Sequence, residues 1–344
     1  MSRDTGLSYD DVLLVPKRSA VDSRSQVDLS TELADGVGLS IPVLSAAMDT
    51  VTETEMALAV AEAGGLGVLH RFLTVDEQAA MVREVAAAGH RVAGAVGIAE
   101  AYVDRAAALV EAGVDMLVVD VAHGHMDRAL SATETLAERF PDTPLCAGNV
   151  ATRAGVADLA TAGADCVKVG VGPGSHCTTR EVTGFGVPQF TAIQRCAAAA
   201  TDEDVTVIAD GGIRSSGDAV KALLAGADAV MMGGYLAGCT ESPGEVIEVD
   251  GDRYKRSRGM STAAAAEDRD DKDVHVDADE GVEAVTPYSG PVADRLAEFT
   301  AGMGSGLSYA GARDLATARE NAEFMEVTGA TSHRNGPHGS ARTE

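Results

Sequence analysis

The chain has 344 residues and a formal net charge of −26, with 45 % apolar residues, 3 % aromatic ones and no tryptophan. Such a charge repels nucleic acid and anionic membrane surfaces, no run approaches the roughly 20 apolar residues of a membrane span, and the charged stretch from Met1 to Asp11 lacks the apolar core of a secretion signal. The cysteines (Cys146, Cys166, Cys177, Cys196, Cys239) are widely spaced and form no C-x-x-C pair, which argues for reduced thiols in a cytoplasm and against a disulfide framework.

An N-terminal arm from Met1 to Leu39 comes first. From Ile41 to Gly238, short apolar runs then alternate with segments rich in Ala, Glu and Leu. The runs predict strands at Pro42–Ala46, Gly67–Leu69, Val92–Val96, Met116–Asp120, Pro144–Gly148, Cys166–Val169, Thr206–Ala209 and Ala229–Met232. Helices are predicted between them, among others at Thr54–Ala63, Val75–Ala88, Tyr102–Ala112 and Ala219–Ala225. Eight such units predict an α/β fold, a closed (β/α)₈ TIM barrel forming a single domain with its core at 41–238. A repeat supports the count: Ala112-Gly113-Val114-Asp115, Ala162-Gly163-Ala164-Asp165 and Ala225-Gly226-Ala227-Asp228 each precede an apolar run. Glycine there suits the left-handed position that ends a helix, so the repeat is read as structural. Beyond Cys239 lies a C-terminal extension, with an Asp-rich segment at 261–284 expected as a flap or linker. Helices are expected to resume at Pro291–Gly302 and Ala310–Arg319, followed by a mobile tail at 332–344.

Lysine occurs only at positions 17, 168, 221, 255 and 272. Mutual repulsion of the acids opposes the compact state, and molar salt screens it, with a Debye length of ~3 Å at 1 M. The balance reads as a halophilic protein. An ordinary acidic enzyme would explain the sign of the charge but not the scarcity of lysine.

The densest chemical signal is Gly170-Val171-Gly172-Pro173-Gly174-Ser175-His176-Cys177-Thr178-Thr179-Arg180, directly after the sixth predicted strand. Glycines let backbone N–H groups approach an anion, and Ser175 adds a hydroxyl donor. Cys177 stands in polar company that favours a nucleophilic thiol, whereas Cys146, Cys166 and Cys196 read as inert buried residues. Gly211-Gly212 and Gly233-Gly234 end the seventh and eighth strands, the usual phosphate position in such barrels. Asp210 is placed to accept hydrogen bonds from a ribose diol.

These segments, with Asp10–Pro16, Ser45–Val51 and Arg258-Gly259-Met260, resemble the inosine-monophosphate dehydrogenase and guanosine-monophosphate reductase family from about Gly6 to Thr328. The resemblance implies a thiol attack by Cys177 on C2 of the purine and hydride transfer between C2 and a nicotinamide, NADPH or NAD(H). It makes Thr179 the residue that helps activate the second reactant. It assigns the 5′-phosphate to Ser175, Gly212, Gly233 and Gly234, and the ribose to Asp210. The base is bordered by Met48, Gly259, Met260 and Ser261, and Asp120 faces the cofactor. It further implies a homotetramer and a monovalent cation, potassium, near Gly172, Gly174 and Cys177. The paired regulatory domain that most dehydrogenases of the family insert after the second helix is missing here, since Val85 reaches Val92 through Ala86–Arg91.

Direction is read from the flap. Dehydrogenases of the family resemble one another in an Arg-Tyr pair that activates water; between Met260 and Glu280 this chain has one arginine, Arg269, followed by Asp270. The short segment, Gly259–Thr262, Gly234 and Ser308–Gly311 resemble reductases, with Glu280 and Thr179 handling protons for ammonia. Val182–Gln189, Asp210–Arg214 and Ala122–His125 are closer to dehydrogenases. Ser257 stands where dehydrogenases have a phosphate-binding tyrosine, and Asp277 where reductases carry a base-contacting arginine. Weighting the flap puts GMP reductase first and IMP dehydrogenase as the alternative. A nucleotide-binding regulator without turnover is disfavoured, because phosphate binding needs no thiol.

Overall fold

The computed structural model describes residues 4–99, 101–260 and 281–332. Eight parallel strands close into a barrel: β1 (Val43–Ser45), β2 (Leu66–Leu69), β3 (Val92–Val96), β4 (Met116–Asp120), β5 (Leu145–Val150), β6 (Cys166–Val169), β7 (Thr206–Asp210) and β8 (Ala229–Met232). Each pairs with its sequence neighbours, and β8 pairs with β1 to complete the ring. The eight predicted strands are the eight observed ones, with ends shifted by at most two residues. Around them run α1 (Thr54–Glu62), α2 (Val75–Ala87), α3 (Tyr102–Ala112), α4 (Asp127–Arg139), α5 (Arg153–Thr161), the short α6 (Thr179–Thr183), α7 (Gln189–Glu203) and α8 (Ser216–Leu224).

Strand alternation sorts the side chains into two shells. Leu44, Leu66, Val68, Met116, Val118, Cys146, Cys166 and Ile208 fill the barrel interior, closed below by Leu33, Val37 and Leu39 of the N-terminal arm. Val43, Leu69, Val92, Leu117, Val167 and Val207 face outward against the helices. Each fully buried Val or Leu contributes about 1.5–3 kcal/mol over exposure, so the shells hold the barrel more than any single polar bond does. The same alternation continues upward: Asp120 follows Met116 and Val118, Lys168 follows Cys166, and Asp210 follows Ile208. Three charged side chains therefore point inward at the carboxyl end.

The Ala-Gly-x-Asp repeat is structural, as expected, and its aspartates do more than mark the turn. Gly113, Gly163 and Gly226 have φ of 93°, 93° and 117° and end their helices in the left-handed region. The carboxylates of Asp115, Asp165 and Asp228 accept the N–H of Val92, Leu145 and Val207 at 2.9, 2.8 and 2.8 Å. Each ties the start of its own strand to the strand before it.

Outside the barrel a hairpin of β9 (Val246–Val249) and β10 (Asp252–Arg258) is joined by β11 (Glu283–Pro287), antiparallel to β10. The sequence reading had placed Glu283 and Ala284 in the irregular flap; they pair with Arg258 and Ser257 instead. The next helix, α9 (Val292–Tyr309), overruns the predicted Pro291–Gly302, and the helix predicted at Ala310–Arg319 is corrected to α10 (Leu315–Asn321). Ala310 caps α9, Gly311 breaks the chain with φ 71°, and the Asp314 carboxylate accepts the Thr317 amide to start the new helix. Val12–Leu14 of the arm pairs antiparallel with Phe324–Glu326, clasping the two ends of the described chain together. Between α2 and β3 only the turn Ala88–Arg91 intervenes. Among the described residues no helix is long and apolar enough to cross a membrane. The expected flap at 261–280 and the tail from 333 lie outside the described residues.

Candidate active site

A cavity of about 1370 Å³ opens at the carboxyl ends of the strands, larger than the roughly 300–1,000 Å³ of ordinary ligand pockets. The loop after β6 brings Gly172, Gly174, Ser175, Cys177 and Thr179 to its wall, and the loops after β7 and β8 bring Asp210, Gly212, Gly233 and Gly234. Met48 comes from the β1 loop, Asp120 from the end of β4, and Gly259 and Met260 from the end of β10. Every site residue expected from the sequence is thus gathered here except Ser261 and Glu280, which lie outside the described residues.

Two close approaches explain the glycines. Gly211 has φ 91°, and a Cβ on it would lie 2.9 Å from Pro173, so the β6 and β7 loops interlock only without a side chain. A Cβ on Gly234 would lie 2.5 Å from Ser175 Oγ. The serine hydroxyl occupies the space that a side chain at 234 would take.

Cys177 is the one exposed cysteine; Cys146, Cys166, Cys196 and Cys239 are buried. Burial, reinforced by the neighbouring Cys146 thiol, pushes Cys166 well above the usual thiol range. Burial likewise pushes Cys196 up to about 12. Both stay protonated and inert, as the sequence reading expected. The Cys177 Sγ lies 3.1 Å from Thr179 Oγ1, its hydrogen-bond acceptor, and the Cys177 amide donates to Gly174 O at 3.1 Å. Arg180 braces this loop through the carbonyls of Val171 and Val187, at 3.3 and 2.7 Å. On the other side Cys177 bridges to Gly281, and Val282 N donates to His176 O at 3.0 Å. The nucleophile loop is therefore stitched to Gly281 and Val282, just ahead of β11. Arg258, which pairs with Glu283 of β11, is anchored to the β1 loop by a two-nitrogen contact with Asp49, at 2.8 and 2.5 Å.

Deeper in, a buried network that the sequence reading missed organises the floor. Lys168 Nζ reaches Asp120 Oδ1 at 2.8 Å, Asp210 Oδ2 at 2.7 Å and the Asn149 side-chain oxygen. Asn149 in turn donates to Asp210 at 2.8 Å. Three ammonium hydrogens meet three acceptors, so the cation is fully satisfied. Burial opposes ionisation of Asp120, but the Lys168 charge and hydrogen bond outweigh it and hold the carboxyl below its usual range. The flanking carboxylates likewise overcome burial to hold Lys168 above the usual lysine range. A lysine inside the apolar run Cys166-Val167-Lys168-Val169, in a chain with so few, was the signal available in the sequence.

Ser257 does not line the cavity. It is buried, with its hydroxyl 2.8 Å from His176 Nε2. His176 is buried too, and its Nδ1 lies 3.1 Å from Ser175 Oγ. Desolvation holds the imidazole below the usual histidine range.

The charge around the cavity inverts that of the molecule. Arg71, Arg128, Lys168, Arg180, Arg214 and Arg295 line it, against the acids Asp10, Asp120 and Asp210, in a chain with 53 acids and 27 Lys and Arg. Such a reversal suits an anion electrostatically.

A family description, IMP dehydrogenase / GMP reductase domain, matches residues 6–338. The chain belongs to this family. Similar proteins include inosine-5′-monophosphate dehydrogenases from Nitrosopumilus maritimus (36 % identity, 97 % of this chain and 98 % of that protein) and Aquifex aeolicus (36 %, 94 % and 93 %). The same enzyme from Bacillus subtilis is 35 % identical over 97 % of this chain and 95 % of its own length. The alignment with the Nitrosopumilus protein runs over 466 residues where this chain has 344, so the family member here lacks a long segment of its relative. The tight α2–β3 turn leaves no inserted domain pair at that point.

Proposed function

We propose that the chain oxidises IMP to XMP at C2 of the purine, through a covalent adduct on Cys177. The observation that carries this reading is the exposed Cys177 thiol, held against Thr179 in a glycine-lined, cation-rich cavity at the barrel mouth. The relatives' names favour oxidation of IMP over the GMP reductase direction that the flap sequence had put first. In this reading Cys177 Sγ bonds to C2 and the C2 hydride departs. Water then adds to the adduct, the S–C2 bond breaks, and XMP leaves with the thiol restored. The Thr179 hydroxyl holds and passes the proton beside Sγ. Asp210, pinned by Lys168 and Asn149, presents its carboxylate to the ribose. Ser175 and the glycines at 212, 233 and 234 receive the phosphate, while Met48, Gly259 and Met260 border the base.

A nicotinamide, NAD⁺ in this direction, supplies the hydride acceptor when bound. The cavity has room for it beyond Cys177, toward Asp120, His123 and Arg71, and arginines there suit a pyrophosphate. A potassium ion near Gly172, Gly174 and Cys177 would share the Gly174 carbonyl with the turn that already holds it. A tetramer in a salt-rich cytoplasm completes the proposal. Subunit contacts would cover Phe185 and Tyr309, which are 76 % and 64 % exposed.

One observation keeps the reductase as a second reading: the segment from Met260 to Glu280 has no Arg-Tyr pair to activate water. Purified protein in high salt, offered IMP with NAD⁺ and separately GMP with NADPH, separates the two. Reduced nicotinamide with XMP is the expected result; ammonia and IMP formed from GMP would overturn it. Cys177→Ala is expected to lower either turnover by more than about a thousandfold while still binding nucleotide.

A further inference from the structure

Among the described residues His176 is the one buried histidine that touches a proposed substrate contact, and the proposed reaction leaves it without a task. It sits between two serines: Ser175 Oγ lies 3.1 Å from Nδ1, and Ser257 Oγ lies 2.8 Å from Nε2. Ser257 continues to Thr286 Oγ1 at 3.1 Å, so four side chains form an unbroken hydrogen-bonded line from β11 to the cavity wall. The outer end of that line is Ser175, whose hydroxyl stands over the bare Gly234.

We propose that His176 is a positioning residue that fixes the Ser175 hydroxyl as a donor to the 5′-phosphate by donating Nδ1–H to its oxygen, the hydrogen bond from Ser257 at Nε2 setting that tautomer. The proposal rests on the mononucleotide reading above and deepens it.

A neutral imidazole has one N–H and one acceptor nitrogen, so the line has two polarities. In one, Thr286 donates to Ser257, Ser257 donates to Nε2, and Nδ1–H donates to Ser175 Oγ. The Ser175 hydrogen is then left for a phosphate oxygen. In the other, every donor reverses and the Ser175 hydrogen is taken up by Nδ1. A phosphate dianion only accepts, so its arrival selects the first polarity. The far end lies on β11. Val282 N also holds the His176 carbonyl at 3.0 Å, so the same residue ties the phosphate end to β11 and the residue just ahead of it by backbone and side chain together.

The test compares IMP with inosine by isothermal titration of the full chain in molar KCl. The ratio of their dissociation constants reads the phosphate's share of affinity. His176→Phe keeps a ring without either nitrogen, His176→Gln sets its amide near the Nε2 position, and His176→Asn sets its amide near Nδ1. The ratio is expected to fall about tenfold in the Phe and Gln variants, and to stay within about twofold of wild type in Asn, as loss of one hydrogen bond to a charged group predicts. Inosine binding is expected to be unchanged in all three, which also reports that the variants fold. A Phe variant that keeps the full ratio overturns the positioning role, and so does an Asn variant that loses as much as Phe. If wild type itself does not distinguish IMP from inosine, the mononucleotide reading fails, and the role of His176 falls with it.

Discussion

Lys168 is the residue on which most of the cavity floor depends. Its side chain is 3 % exposed, and its ammonium bridges Asp120 and Asp210, whose side chains are 23 % and 20 % exposed. Removing the cation from such a network leaves carboxylates in a poorly solvated place without their partner, a change that typically costs about 3–5 kcal/mol. Lys168→Met is therefore expected to lose stability of that order at pH 7, measured by denaturant unfolding. The pH dependence has a definite sign. The native Asp120 carboxyl lies below its usual range, so its contribution is present above the unfolded value of about 4 and is lost as pH falls through the lowered native one. Wild type should thus weaken only below about pH 4, whereas the methionine variant gains on acidification as its stranded Asp120 takes up a proton. The stability gap between them should narrow from pH 7 toward pH 4. A gap that stays constant would mean that the ion network does not hold the floor.

At the scale of elements, the barrel was legible because each strand is a short apolar run and three of the helices lead into a repeated Ala-Gly-x-Asp turn whose glycine can turn left. The floor of the site was legible only in part. Asp210 could be picked out beside two glycines, but Lys168 and Asn149 meet it from 42 and 61 residues away, a convergence that closure of the ring creates. Ser257 stands where dehydrogenases of the family have a phosphate-binding tyrosine, and its own place in the fold was not legible. The pairing of β10 with β11 instead buries it beside His176, and nothing local in Arg256-Ser257-Arg258 announces that. The same pairing makes Gly259 and Gly281 a mechanical part of the site. A Cβ at Gly259 would lie 2.8 Å from the His176 carbonyl and 3.2 Å from the Gly281 Cα, backbone contacts that cannot swing aside. Gly259→Ala should push the hairpin away from the Cys177 loop. A displacement near 1 Å at a reacting group can cost about a hundredfold in rate, so turnover should drop by that order while the barrel's melting temperature barely moves. Full activity in the alanine variant would show that the hairpin and the loop move independently.

For the whole molecule the governing quantity is the charge of −26, set against a cavity in which cations outnumber acids. Three of the five lysines hold structure: Lys168 in the floor, Lys221 on the Tyr9 carbonyl at 2.8 Å, and Lys255 buried against the carbonyls of Thr240 and Ser242. With 53 acids against 27 Lys and Arg, the acids' mutual repulsion acts on the native state more than on the expanded chain, where the charges lie farther apart. Salt relieves that repulsion by screening, which is nearly complete once the Debye length falls to ~3 Å at 1 M. Thermal melts followed by circular dichroism should therefore rise steeply between ~0.1 M and ~1 M KCl and flatten toward ~2 M. A general excluded-cosolute effect has another shape, rising steadily with concentration and reproduced by sucrose, so sucrose at matched osmolality serves as the control. A midpoint that stays level or falls with KCl, or one that sucrose raises equally, would remove the case that this acidic surface is an adaptation to salt.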